Sequence, residues 1–539
     1  MNLNFLRFSP ILFFLLINLS VNAQQKDLIT WGKQVSNKTK SVMDKIITQD
    51  ATGFYVLKTR QGNQELVDGP QKVYIEHYNQ KMNLTRSKEI KMKWKKKKRQ
   101  FEDILMIGGE LYLFTSFNNQ GKRKNFLFAQ KMNKRNFEVE DELNFIADID
   151  TKNKYKEGSF NFHISTDSSK VLVLNELPYK KNQPEQFALR VYNNDFTLSW
   201  QKDIVLPYND DKFDIEDYQV DNQGNVYLLG LLYGDGSLRK KRGLPNYQYV
   251  LLAYTQMGTE KKKYPINLRE KFITDLTFRP SNNGELVFCG FYSESGTYSI
   301  RGTYFFRINP ITKEVFNKSL KELDFEFRTE YVSNRKKQRM DNDDKKSELY
   351  QFSLDELILR NDGGALLIAE QYFVEEVREF DPYYGGVGTF GRYGNNNQYR
   401  LSYIYNYNDI IIVNVDPKGE IEWASRIPKR QETENDGGWY SSYSMSIVKD
   451  KINFIYNDNG RNFDPNGSYR KNRYNFNGRN SVIAISQVSP DGSVETFPLG
   501  ENRDGGVITR PKACKQIGPK KVAIYGEYGR TYRFGKLSF

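Results

Sequence analysis

The sequence predicts an all-β protein that folds as a β-propeller of eight four-stranded blades. Two observations support this prediction: a composition rich in aromatic and turn residues, and a short apolar strand that recurs along the chain. Tyr and Phe each number 36 among 539 residues, with 39 Gly between them, which favours strands and tight turns over helices. The chain exceeds a usual domain of ~100–200 residues, but propellers grow by repetition and routinely pass that size.

The recurring strand appears eight times, usually after a Gly or a Gly/Asn turn. Its copies are residues 53–57, 109–114, 170–174, 224–229, 284–288, 364–368, 451–455 and 521–525. An alternating apolar segment precedes the copies, and two further strands joined by a tight turn such as 416–419 follow. Because Gly accepts the positive φ of hairpin turns, each unit is predicted to be one antiparallel blade.

The two chain ends predict how the ring closes. The eighth unit ends at Phe539 after three strands, and its missing fourth strand is predicted at the mature N-terminus around Trp31. The same Trp position recurs in other predicted fourth strands, at Trp200 and Trp423. Pairing the N-terminal strand with the last blade removes exposed edges that invite aggregation. Seven blades is the alternative if one weak unit, above all the first, is irregular.

Residues 1–23 are typical of a signal peptide, with Arg7 before an apolar stretch over 11–19 and a small-residue cleavage site at 21–23. That stretch is too short to span a bilayer, and no Cys follows it to carry a lipid anchor. We therefore expect an exported, soluble protein that is not itself transmembrane, with a single propeller domain over residues 24–539.

The net charge constrains the partners. It is +14, and loss of Arg7 with the signal peptide lowers it to +13. A basic surface favours anionic neighbours such as a glycan, lipopolysaccharide phosphate or an acidic protein face. Nucleic acid fits the charge as well, but export argues against it.

The residues of common catalytic and metal sites are scarce. Cys289 and Cys514 are predicted to be buried thiols, with one disulfide as the alternative. Only His77 and His163 are available for a triad or a zinc site, and we expect both to be satisfied core residues. The acidic runs at 341–344 and 458–460 do not match a calcium-binding loop.

Acidic residues recur in the predicted innermost strands at about one repeat position. We interpret them as structural hydrogen-bonding groups rather than as a glycosidase-like carboxylate pair. They are Asp44, Asp103, Asp217, Asp275 and Glu356. The sequence accordingly predicts no catalytic residue, no metal ligand, no cofactor and no enzyme.

Residues 415–423, Val-Asp-Pro-Lys-Gly-Glu-Ile-Glu-Trp, resemble the Asp-x-x-Gly-x-x-x-Trp blade signature of quinoprotein-like (PQQ-repeat) propellers, and 490–497 is a partial copy. That group includes cofactor-free periplasmic scaffolds of outer-membrane barrel assembly. The resemblance implies the fold, and no cofactor-contacting residues match. The composition also resembles that of exported Bacteroidota proteins. The end of the chain lacks the sorting domain of type IX secretion cargo, so we expect the protein to stay in the periplasm, peripheral to the outer membrane.

Five long irregular segments are predicted on one face, because connections from strand two to three and from strand four to the next blade emerge together. Loops of this length are commonly functional or disordered. The segments are 234–246, 324–349, 374–407, 429–438 and 457–480.

Two of these segments mix aromatic rings with Arg and Gly, as protein-binding hot spots do. The partner-binding candidates are Tyr383, Tyr384, Arg392, Tyr393, Tyr399, Arg400, Tyr469, Arg470, Arg473 and Tyr474. We expect a scaffold for an envelope protein complex, such as an outer-membrane barrel or a secretion translocon. The alternative is a glycan-binding or glycan-cleaving protein, and solvated loops without any partner are the third interpretation.

The run Lys91 to Arg99 carries the densest positive charge. We expect it to form the solvated edge of the first blade's outer strand, where Lys blocks edge pairing. Attraction of anionic lipid or glycan around Trp94 is the alternative.

Overall fold

The computed structural model describes residues 28–60, 72–151, 156–234, 239–281, 283–330, 337–338, 340, 347–380, 399–464, 473–478 and 481–539. Within these residues the chain forms eight antiparallel sheets of four or more strands in sequence order, which is an eight-bladed propeller. The predicted fold class is confirmed, and the first unit is a regular blade, so the seven-bladed alternative is wrong.

Blades 1 to 4 each consist of four consecutive antiparallel strands, ordered from the innermost to the outermost. Blade 1 comprises Val42–Asp50, Gly53–Arg60, Lys72–Asn79 and Leu84–Ile90. Blade 2 comprises Gln100–Ile107, Glu110–Asn119, Lys124–Met132 and Asn144–Asp150. Blade 3 comprises Ser159–Ile164, Lys170–Glu176, Pro184–Asn193 and Leu198–Asn209, and blade 4 comprises Phe213–Val220, Val226–Tyr233, Tyr247–Thr255 and Glu260–Ile266.

Blades 5 to 7 repeat the pattern, and blade 8 takes its outer strands from the N-terminus. Blade 5 comprises Phe272–Pro280, Leu286–Ser293, Gly302–Asn309 and Glu314–Glu322. Blade 6 comprises Phe352–Leu359, Ala365–Phe380, Tyr399–Val415 and Ile421–Ile427, and blade 7 comprises Tyr443–Val448, Lys451–Asn459, Ser481–Val488 and Val494–Glu501. Blade 8 comprises Ile508–Thr509, Lys515–Gly518, Lys521–Tyr528 and Thr531–Ser538, with Ile29–Trp31 and Val35–Ser36.

Short elements occupy the connections. The helix α1 spans Phe325–Thr329. Small two-stranded pairs are Lys93–Trp94 with Lys97–Lys98, Lys240–Lys241 with Leu244–Pro245, and Ser299–Ile300 with Leu349–Tyr350. A strand Glu432–Glu434 adds to blade 6, and 3-10 turns lie at Asp210–Lys212, Gly460–Phe463 and Pro511–Ala513.

Burial explains why the recurring strand was visible in the sequence. Every one of the eight copies contributes to the second strand of a blade, where both sheet faces pack against neighbouring blades. Leu286–Ser293, for example, is buried at every residue, whereas the outer strand Glu260–Ile266 alternates between covered and exposed positions. A strand covered on both faces is continuously apolar.

Adjacent blades are joined by a repeated contact between an outer strand and the next blade's last turn. In blade 6, Ser425 Oγ donates a hydrogen bond to the carbonyl oxygen of Gly492 in blade 7 at 2.5 Å. Gly492 has φ +83°, and a Cβ there would lie 2.7 Å from the Trp423 ring. Ser319 in blade 5 makes the same bond to Gly419 of blade 6 at 3.0 Å. The Gly and Trp of the 415–423 signature therefore serve packing between blades.

The N-terminal strand closes the ring as predicted. Ile29–Trp31 pairs antiparallel with the last strand, Thr531–Ser538, and Trp31 stands opposite Gly535. Lys33 N then donates to Asn83 Oδ1 at 2.8 Å in the last turn of blade 1. Like the contacts between the other blades, it joins an outer-strand segment to the last turn of the next blade, so the N-terminal segment is the outer strand of blade 8.

Both cysteines are buried free thiols, as predicted. Burial raises the pKa of Cys514 to about 12. Among the described residues, no helix is long and apolar enough to cross a membrane.

Candidate functional site

The described parts of the five long segments all lie in connections between strands two and three or between consecutive blades. Segments 234–246 and 457–480 join the middle strands of blades 4 and 7, and 324–349 and 429–438 lead into blades 6 and 7. Segment 374–407 joins the middle strands of blade 6. Antiparallel topology brings these connections to one side of the ring, which we term the insertion face.

Segment 374–407 begins and ends as a β-ribbon rather than as a loop. The strands Ala365–Phe380 and Tyr399–Val415 remain paired to their ends, at Phe380 and Tyr399. Glu432–Glu434 adds a third strand at residues 404–406 of the ribbon. The expected irregular insertion is corrected here: alternating Tyr, Val and Ile continue the pairing of blade 6 beyond the ring.

One side of the ribbon is exposed and mostly apolar, with Glu376 and Arg378 as its charged residues. Cross-strand pairs Tyr372/Tyr407, Val374/Tyr405, Glu376/Tyr403 and Arg378/Leu401 lie on the same side. Relative exposures are 40% for Tyr372, 42% for Val374, 42% for Leu401 and 40% for Tyr403. We call these four residues the ribbon face. On the opposite side, Ser402 and Asn406 are buried.

The base of the ribbon is fastened towards blade 8. The Tyr372 ring packs on Tyr407 with 4.6 Å between ring centroids. Lys512 Nζ donates to Tyr407 Oη at 3.0 Å and lies 4.2 Å from the centre of the Tyr407 ring. Gly438, with φ +66°, lets the Tyr407 ring approach, since a Cβ there would lie 2.2 Å from it. These contacts therefore fix the base of the ribbon relative to blade 8.

A buried polar network supports this base. Lys429 has a fully buried side chain, and its Nζ donates to Glu370 Oε1 at 2.7 Å, Tyr407 O at 2.8 Å and Gln431 Oε1 at 2.9 Å. Ser442 Oγ donates to Glu370 Oε2 at 2.7 Å. Burial lowers the pKa of Lys429, and the neighbouring Glu370 carboxylate opposes that shift. All three N–H groups of the Lys429 ammonium donate hydrogen bonds, so this lysine has a structural role.

The structure places the ten predicted partner-binding residues unevenly. Tyr383, Tyr384, Arg392, Tyr393, Tyr469 and Arg470 lie outside the described residues. Tyr399 and Arg400 form the last ribbon pairs, opposite Phe380 and Glu379. Arg473 forms an ion pair with buried Asp458, whereas Tyr474 is 49% exposed. These residues stay predictions as a partner site.

The ribbon face was not singled out from the sequence. Its signal is alternation: Tyr372, Val374 and, on the other strand, Leu401 and Tyr403 occupy every second position. That pattern normally marks a face turned towards a core. Here the strands have passed the end of the blade, so the same pattern leaves an uncovered apolar face.

Innermost-strand acids join adjacent blades, which agrees with their structural interpretation. Asp103 of blade 2 binds Lys45 of blade 1 at 2.6 Å. Asp217 accepts a hydrogen bond from Thr277 Oγ1 of blade 5 at 2.9 Å. The described contacts of Asp275 and Glu356 also cross between blades, to Leu354 N at 2.8 Å and to Arg279 at 3.7 Å respectively. Asp44 differs from these acids because the residue is exposed. Partial desolvation of its carboxyl group by the surrounding chain raises its pKa.

A second set of carboxyls occupies β-bulges of these strands. Glu102, Glu216 and Asp355 are the extra residues where the register shifts, as Asp44 is in blade 1. Burial raises the pKa of Glu102 and that of Asp355 to about 7 each. A bulge redirects a side chain, and its register cannot be read from sequence alone. Among the described residues, no group of three or more His, Cys, Asp or Glu side chains could hold a metal ion.

Both histidines are hydrogen-bonded, as expected. Neither is fully buried, although burial in the core was expected. His77 lies between the hydroxyls of Thr52 and Thr85, at 3.0 and 2.6 Å. His163 Nδ1 accepts from Val220 N at 3.2 Å. Both residues are half-buried.

The lysine-rich run is not the edge of blade 1's outer strand, which ends at Ile90. Instead Lys93–Trp94 pairs with Lys97–Lys98 as a separate small hairpin. It lies in the connection from blade 1 to blade 2, and thus on the insertion face. The expectation is corrected because Lys95 and Lys96 adopt φ of 43° and 68°, which reverses the chain in a two-residue turn.

No family model matches this chain, and no curated protein matches it. Solved structures match by fold only. The WD40 domain of SCAP from fission yeast is 7% identical, with 96% of this chain and 98% of that chain covered and a TM-score of 0.36. A Bacteroides caccae protein of unknown function is 9% identical, with 69% and 93% covered and a TM-score of 0.27.

One comparison corrects the prediction that the chain is not an enzyme. A Synechocystis apocarotenoid oxygenase is 10% identical, with 95% of this chain and 93% of that chain covered and a TM-score of 0.34. An enzyme thus occurs among the matching structures, which corrects the prediction drawn from the scarcity of catalytic residues. A likeness at this level assigns no activity to the chain.

Proposed function

We propose that this protein is an exported, periplasmic scaffold that binds an envelope protein complex through its insertion face. The observation that carries the proposal is the ribbon face. Four apolar side chains at 40–42% exposure stand on a ribbon whose base is held by the hydrogen bonds of Lys429 and Lys512. Exposed Tyr beside aliphatic side chains on a rigid support resembles the anchors that dominate protein interfaces.

The charges of the ribbon favour a specific partner over self-association. Glu376 and Arg378 lie on the same side of the ribbon, opposite Tyr403 and Leu401, and form an ion pair at 2.9 Å. Charged side chains on a projecting strand discourage edge-to-edge pairing of two copies. The apolar side chains therefore remain available for a surface that also satisfies these charges.

The class of client comes from the resemblance of residues 415–423 to the blades of outer-membrane assembly scaffolds. We propose an outer-membrane β-barrel complex or a secretion translocon as the partner, with the scaffold peripheral to the membrane. This step is an analogy at the level of fold and blade signature.

Affinity capture from the native envelope tests the proposal. The variant Tyr372→Ser/Val374→Ser/Leu401→Ser/Tyr403→Ser should lose the stoichiometric membrane partner, since removing anchors of this kind costs about 2 kcal/mol or more each. The matched control is Leu198→Ser/Val205→Ser/Met257→Ser/Ile311→Ser, four exposed apolar residues outside the ribbon. Equal capture by both variants would reject the ribbon face, and retention on envelope glycan without a protein partner would favour the glycan-binding alternative.

A further inference from the structure

The hairpin of residues 93–98, between blades 1 and 2, forms despite the repulsion between its own lysines. Lys93 stands directly opposite Lys98, and like charges at facing positions destabilise a strand pair. Lys95 and Lys96 both adopt positive φ, which is strained for side chains other than Gly. The neighbouring ion pairs, Lys88 with Glu138 and Lys131 with Glu110, do not include these lysines.

Specific contacts hold the hairpin in place. Trp94 Nε1 donates to Asp141 O at 3.1 Å, and the Arg99 guanidinium lies 5.4 Å from the Trp94 ring. Arg99 is itself buried and donates to Thr115 Oγ1 at 2.7 Å. The aromatic ring and the arginine therefore anchor the hairpin to blade 2. Its lysines are exposed, with Lys95 Nζ 4.5 Å from the Trp94 ring and Lys97 Nζ 5.2 Å from the Phe117 ring.

The geometry distinguishes an extended anionic surface from a small anion. The cleft beside the hairpin has a volume of about 280 Å³, but its lining includes Glu89, Glu138, Glu140 and Asp141. Lys88, Lys91, Lys93 and Arg99 also line the cleft, so its basic and acidic side chains balance and it has no excess positive charge to hold phosphate. Lys93 and Lys95 to Lys98 are exposed around a two-residue turn, so an extended anionic surface can contact several of them at once.

We propose that residues 93–98 dock the propeller on a lipid bilayer that carries anionic headgroups. Each lysine near such a surface gains attraction from its negative potential, and the anionic headgroups offset the repulsion between Lys93 and Lys98. The site is independent of the ribbon face, because it lies in the connection from blade 1 to blade 2 and shares no residue with blade 6. Docking there directs the insertion face towards the membrane.

Vesicle co-sedimentation tests the proposal with the full chain. The protein should bind phosphatidylcholine vesicles only when they contain phosphatidylglycerol. The variant Lys95→Gln/Lys96→Gln/Lys97→Gln/Lys98→Gln should bind about 600-fold more weakly, at roughly fivefold per lysine. If the fourfold variant does not fold, the variant Lys97→Gln/Lys98→Gln replaces it in the test, because it leaves the strained turn unchanged. It should show a smaller loss of vesicle binding.

The matched control removes the same charge from the opposite face. Lys81, Lys418, Lys449 and Lys520 are exposed and lie in the short turns there, so Lys81→Gln/Lys418→Gln/Lys449→Gln/Lys520→Gln should retain wild-type binding. An equal loss in this control would show that net charge alone is responsible. Binding of dextran sulfate but not of anionic vesicles by the wild type would overturn the lipid as occupant, while the ribbon-face variant should bind vesicles normally.

Discussion

The strand that closes the ring and the ribbon that leaves it both extend the four-stranded blade, and they differ in what covers them. Ile29–Trp31 lies against Thr531–Ser538 and the last turn of blade 1, so it completes a core. The ribbon of blade 6 continues the same kind of pairing beyond the ring, where one side meets solvent. The same strand chemistry thus supports stability when two blades cover it and is available for binding when none does.

The seam behind the closing strand is densely packed. Phe534 of blade 8 contacts Phe54 and Tyr78 of blade 1, with ring centroids 5.0 and 4.6 Å apart. A buried Lys58 lies beside Glu76 at 3.6 Å and over the Tyr532 ring at 3.5 Å. The ribbon face has no comparable cover among the described residues, so its removal should cost much less than damage to the seam.

Deletion of residues 27–37 should have the largest effect. The last strand loses its partner and Trp31 no longer packs on Gly535, so we expect aggregation or a loss of about 3–5 kcal/mol or more in unfolding free energy. Thermal unfolding with light scattering measures this. A synthetic peptide of residues 27–37 added in trans should restore part of the loss, and an unchanged midpoint after the deletion would contradict closure by this strand.

The variant Glu76→Gln should destabilise the seam by about 3 kcal/mol, because it leaves a buried ammonium without its counter-charge. Burial already lowers the pKa of Lys58, and Glu76 opposes that shift. The double variant Lys58→Met/Glu76→Gln should recover much of the stability, as measured by guanidinium denaturation. As a control, Lys72→Met in the exposed pair with Glu89 should leave the midpoint unchanged. If the double variant loses as much stability as Lys58→Met and Glu76→Gln lose together as single variants, the two residues do not act as a pair.

Replacement of residues 375–404 by a short Gly/Ser linker should have the smallest effect on stability. Tyr372 and Tyr407 stay in place, so the contacts with Lys512 and Gly438 are kept, and the length of a loop contributes little by itself. We expect a midpoint within about 2 °C of wild type, on the scale of a sub-kcal/mol change, with partner capture lost. A broad or early transition would instead show that the ribbon is part of the cooperative core.

Local sequence patterns predicted most of the propeller. The second strands were visible because burial on both faces demands continuous apolar residues, as in Leu286–Ser293. The fourth strand of blade 8 was recognisable because Trp31 matches Trp200 and Trp423. The ribbon face was not predicted: within segment 374–407 the emphasis fell on the middle residues, and the partner site there stays a prediction.

The sequence by itself determined the repeat, the closing strand and the two buried thiols, because each follows from burial pattern or spacing along the chain. The tertiary structure alone decided the β-bulges that carry Glu102, Glu216 and Asp355, the burial of Lys58 and Lys429, and the small hairpin of residues 93–98. These features depend on which strands become neighbours and where a blade ends. A charged residue or an alternating strand looks the same in sequence whether another blade covers it or solvent does, and that difference separates core from exposed surface.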